Sequence, residues 1–73
     1  MTKGEELIQR YLKGGMSTNE IFQFEKEVEQ FLLSNAPEKD KTKLRYYAES
    51  IYMLCSGLRK LQEEGRMKEE ILN

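Results

Sequence analysis

The chain has 73 residues, 34% of them charged, a formal net charge of -1, one cysteine and no histidine. A lone cysteine excludes an internal disulfide, the missing histidine excludes a mixed His/Cys zinc site, and the balanced charge is unlike that of a basic nucleic-acid-binding domain. At this length the chain holds at most one small domain, whose stability must come from helix packing, self-association or a partner.

No apolar run is long enough for a membrane span, and the start, MTKGEELIQRYL, lacks the apolar stretch and small-residue cleavage site of a secretory signal. A free thiol fits a reducing compartment. The expected location is the cytoplasm.

The spacing predicts a first helix over residues 2–13. Thr2 is placed to cap it, Glu5 and Glu6 favour its positive end, and Leu7, Ile8, Tyr11 and Leu12 form an apolar edge. Gly14 and Gly15 stop it, because glycine accepts the left-handed backbone of a helix C-cap. Ser17 followed by Glu20 is a capping box, and Met16 with Ile21 is placed as a hydrophobic staple. A second helix follows over 18–33, with Ile21, Phe24, Val28 and Phe31 as its apolar stripe and Leu32 beside it. Pro37 steers the preceding residue out of the helical region and ends the segment.

A third, longest helix is expected over 39–64. Leu44, Tyr47, Ile51, Leu54, Leu58 and Leu61 form its core seam at steps of three and four, widened by Ala48 and Cys55. At 1.5 Å per residue it is on the order of 35 Å long against about 24 Å for the second helix, so its far end overhangs. Gly65 reads as a break, and Arg66 to Asn73 as a short extension, helical over 66–72, offering Met67, Ile71 and Leu72. The fold class is all-α: a small three-helix bundle with a long third helix and a short C-terminal helical extension, in a single domain over 1–73.

Catalytic chemistry is not expected. Nucleophilic catalysis needs an activated nucleophile beside a base, and the usual base is missing. Cys55 falls toward the apolar seam, where a thiol acts as a small hydrophobe. Glu25 and Glu29 share a helix face but lack further ligands for a metal, and LKGGMS lacks the ending of a phosphate loop. No catalytic, cofactor or metal residue is assigned.

Contact surfaces are more legible. Tyr46, Ser50, Met53 and Gly57 form a second row at helical spacing behind the core seam of the third helix. Phe22 and Leu33 likewise lie opposite the main stripe of the second. The candidate partner-binding residues are Phe22, Leu33, Tyr46, Tyr52 and Met53.

The segment LIQRYLKGGMSTNEIFQFEKEV, residues 7–28, resembles the N-terminal cytoplasmic region of zinc-free bacterial anti-sigma factors, of the kind found in Bacteroidetes and in FecR-type regulators. Leu7, Ile8, Tyr11, Leu12, Gly14, Ser17, Glu20, Phe24 and Glu25 fit that pattern, with Met16 in a leucine place and Val28 as the later apolar position. The resemblance implies a helical domain that wraps a sigma factor of the extracytoplasmic-function type and masks its polymerase-binding surfaces. The matched residues build the corner between two helices; they do not define contacts. Members of the family usually continue into a transmembrane helix.

Two other functions fit parts of the sequence. A dimeric helical adaptor or structural protein of phage or mobile-element type would use Tyr46 and Met53, or the overhanging seam, in a symmetric homodimer. A helix-turn-helix DNA binder would place a turn near Lys26 to Glu29. That segment is acidic and has no turn residue, and the basic cluster Lys39, Lys41, Lys43 and Arg45 is read as decoration at the start of the third helix.

Overall fold

The computed structural model describes the backbone of residues 1–72 and the side chains of residues 1–65. Three helices follow one another: α1 at Lys3–Lys13, α2 at Thr18–Leu33 and α3 at Glu38–Leu72. Each boundary has a local cause. The Thr2 hydroxyl accepts from the Glu5 amide at 3.2 Å. At the next helix start, the Ser17 hydroxyl accepts from the Glu20 amide while the Glu20 carboxylate accepts from the Ser17 amide, so the capping box is closed on both sides. Gly14 and Gly15 both hold positive φ, 71° and 78°, which is how the chain turns between α1 and α2 without strain.

The chain direction can be followed through its contacts. Gly4 lies against Asp40, and Tyr11 meets Tyr47 edge to face with ring centroids 6.0 Å apart, so α1 runs parallel to α3. Ile21 lies beside Cys55, while the Ser34 carbonyl at the far end of α2 meets Lys41; α2 is therefore antiparallel to α3. Both shorter helices pack mainly on α3. Between them, Tyr11 stacks on Phe24, and Arg10 pairs with Glu27 at 2.8 Å.

The core is Leu7 from α1, Ile21, Phe24 and Val28 from α2, and Leu44, Ile51 and Cys55 from α3. Met16 packs against it from before the capping box, the placement of a hydrophobic staple. Ala48 is buried as well. On α3, the buried row therefore runs Leu44, Ala48, Ile51, Cys55, then half-buried Leu58.

This corrects the expected seam. Leu54 and Leu61 are 43% and 64% exposed. Relative to Ile51 they turn away by about 60° and 80° on the side facing α1, at 100° per residue. With 11 residues, α1 is about 16 Å long by the same rise, and it ends before reaching them. The cover runs out before the apolar row does.

The expected break at Gly65 is also absent: α3 runs through it to Leu72 as one 35-residue helix. An exposed helical glycine costs only about 1 kcal/mol relative to alanine, too little to interrupt a helix sound on both sides. The molecule measures 51 Å along its longest axis, close to the ~52 Å that 35 helical residues require. The apolar surface expected at Met67, Ile71 and Leu72 involves side chains outside the described residues, and Asn73 lies outside them altogether.

Candidate protein-contact surface

The five candidate residues do not form one patch. Tyr46 and Met53, 83% and 68% exposed, lie on the open side of α3. Tyr52 lies about 100° from Ile51 in the opposite sense, toward α2. There burial, then the charges of Glu29 and Glu25, push its phenol above the ordinary value. Phe22 is half-buried against the core, and the Arg59 guanidinium covers its ring at 4.9 Å while pairing with Glu25. Helical side chains lean toward the N-terminus, which is how Arg59 reaches back along α3 to both partners. Leu33 is 81% exposed at the other end of α2. It lies about 16 Å from Phe22 along the helix axis at 1.5 Å per residue.

Around Tyr46 and Met53 the structure assembles a surface that sequence reasoning had divided. Ser50 lies between them on the helix and Gly57 one turn beyond Met53, and Leu54 and Leu61, expected in the core, join the same side. From Tyr46 to Leu61 these six residues fall within a sector of about 100° that contains no charge, bounded by Lys43 at one end and Glu64 at the other. Nothing lies within 4 Å of the position a Cβ would take at Gly57, so this stretch of backbone is open to close approach. Along one edge the surface deepens into a 370 Å³ groove between α1 and α3, lined by Ile8, Thr42, Lys43, Tyr46 and Tyr47. The signal that could have found it was α1's length: an 11-residue helix cannot cover a seam about two turns longer than itself.

Lys41 also departs from its expected place. Lys41, grouped with exposed basic residues, is buried; its ammonium donates to the Ser34 carbonyl at the C-terminus of α2 and lies 3.9 Å from Glu38. The core row of α3 read backward from Leu44 by three lands on it. Its neighbour Arg45 pairs at 2.7 Å with Glu38, which holds that carboxyl below its usual range.

Other features carry less chemistry. Cys55 is buried, its Sγ 3.7 Å from the Ile21 carbonyl, and burial followed by the nearby Glu25 pushes its thiol up. Among the described residues no group of three His, Cys, Asp or Glu side chains could hold a metal ion, and no helix is long and apolar enough to cross a membrane. A 590 Å³ hollow at the α1–α2 corner is lined by residues such as Arg10, Asn19 and Gln23, which the structure leaves exposed. Helix α2 continues unbroken through Lys26 to Glu29, where a helix-turn-helix arrangement needs its turn. Compared with protein-family models, with curated proteins and with solved structures, the chain matches none.

Proposed function

We propose that this protein is a regulator that acts by protein–protein contact, and specifically an anti-sigma-like domain that binds and masks a sigma factor in the cytoplasm. The observation that carries the reading is the uncharged side of α3 from Tyr46 to Leu61, which the short α1 leaves open. Exposed aromatic and methionine side chains interleaved with small residues are the composition of a helix-docking surface. Burying that surface would supply apolar area that a bundle of this size lacks. The α1–α2 corner, with its closed capping box and two positive-φ glycines, fits the segment that resembles the anti-sigma pattern.

Co-purification with sigma factors of the native host tests the proposal. Retention of a sigma factor by the wild-type protein, and its loss on Met53→Lys, is the expected result. Retention of none, or equal retention by both proteins, overturns it.

A further inference from the structure

The uncharged side of α3 is complementary to itself when reversed. Its midpoint falls between Met53 and Leu54. Laid antiparallel about that point, a second copy sets Met53 against Met53 and Leu54 against Leu54 on the two flanks, Ser50 against Gly57 along the centre line, and Tyr46 level with Leu61 and Lys43 level with Glu64. The small residues meet small ones, where two helix backbones must approach most closely, and the large ones meet large ones farther out. At each end a cation meets an anion; in a parallel pair, Lys43 would face Lys43 and Glu64 would face Glu64. Among the described residues neither Lys43 nor Glu64 is engaged in an ion pair.

The tertiary structure fits the same arrangement. The overhanging half of α3, uncovered by its own α1, would lie beside the α1–α3 groove of the other copy. Leu61 enters that groove next to Tyr46, and Glu64 reaches Lys43 on its rim. Both copies make the same exchange, as a two-fold axis requires.

We infer that this protein forms an antiparallel homodimer through α3, centred on Met53 and Leu54. The contact from Lys43 to Glu64 is about 32 Å long at the helical rise and roughly one helix wide, at the small end of specific interfaces, so the pair forms in the micromolar range. Because the same surface serves the proposed regulatory partner, dimer and hetero-complex exclude each other.

Sedimentation of the purified protein across micromolar to high-micromolar concentration tests this, with circular dichroism confirming that each variant keeps its helices. The wild type is expected to shift from monomer to dimer. Lys43→Glu or Glu64→Lys alone weakens the dimer about tenfold by turning two attractions into two repulsions, and the double exchange restores it. The substituted positions are exposed and lie outside the core, so the fold is unaffected. A wild type that stays monomeric throughout overturns the proposal, as does a dimer indifferent to either single exchange. Single exchanges that weaken the dimer without rescue by the double overturn the antiparallel register.

Discussion

Gly4 and Asp40 touch backbone to backbone: a Cβ at Gly4 would lie 2.6 Å from the Asp40 carbonyl oxygen and 3.5 Å from the Phe31 ring. All three helices meet at this point, and only a residue without a side chain lets α1 seat there. By helix propensity alone Gly4→Ala would gain about 1 kcal/mol. The obstacle is a carbonyl inside a helix, which cannot swing aside, so the substitution is expected to destabilise the fold by about 1–3 kcal/mol in urea melts. Gly65→Ala, which meets nothing within 4 Å, should instead raise the helical signal and leave the melting temperature no lower.

Lys41 closes the C-terminus of α2 from the side of α3. Its ammonium satisfies the Ser34 carbonyl, while the Ser34 hydroxyl donates to the Phe31 carbonyl at 2.6 Å. Lys41→Ala is expected to cost about 2 kcal/mol, through the lost charge-assisted bond and lost packing of the buried stem. Lys39→Ala and Lys43→Ala, at exposed positions, should stay within roughly 0.5 kcal/mol of wild type when measured as dilute monomer. Equal effects at all three positions would contradict the role assigned to Lys41.

The raised ionisations of Cys55 and Tyr52 fix a sign for pH dependence. Both groups are neutral when protonated and hold their protons more tightly when folded. The unfolded chain therefore loses them first as pH rises, near roughly 8.5 for a thiol and 10 for a phenol. Their contribution to stability is complete below about pH 8.5 and declines as pH climbs toward the folded values. Urea midpoints should fall from neutral to alkaline pH, and less steeply in Cys55→Ala. Native Cys55 should also resist thiol reagents that label the unfolded chain at once, because its sulfur is buried against Ile21.

At the corner, Ser17→Ala removes the acceptor for the Glu20 amide and is expected to cost about 1 kcal/mol. Glu20→Gln keeps an acceptor for the Ser17 amide and removes only the charge at the helix N-terminus, so it should cost less than Ser17→Ala in the same melts; an equal cost would show that the charge counts for as much as the serine hydroxyl.

The corner was the most legible part of the fold because its determinants are local. Thr2, the two glycines, Ser17 and Glu20 act within a few residues of themselves, and the boundaries of α1 and α2 follow from them. The facing of α3 was less legible. Leu44, Ile51 and Leu58 belong equally to a row through Leu54 and Leu61 and to one through Ala48 and Cys55. Only the short reach of α1 decides between them. Lys41 was hidden for a different reason: its burial depends on where the end of α2 comes to rest, a distance set by tertiary packing. Of the candidate contact residues, Tyr46 and Met53 were found on one open surface. Phe22 was found under Arg59, a cover that comes from a residue 37 positions away in the sequence.

Helix α1 is joined to the rest by a four-residue link containing two glycines, and its main support is α3. The chain can thus be viewed as a hairpin, α2 with α3, fastened by a detachable clasp. Were the clasp to open, Tyr47 and Leu44 would be uncovered directly beside Tyr46, and the uncharged strip would widen at its N-terminal end. Amide hydrogen exchange should register this as α1 protons exchanging faster than those around Phe24 and Ile51. The area that α3 can offer is then set by how often a single 11-residue helix lets go.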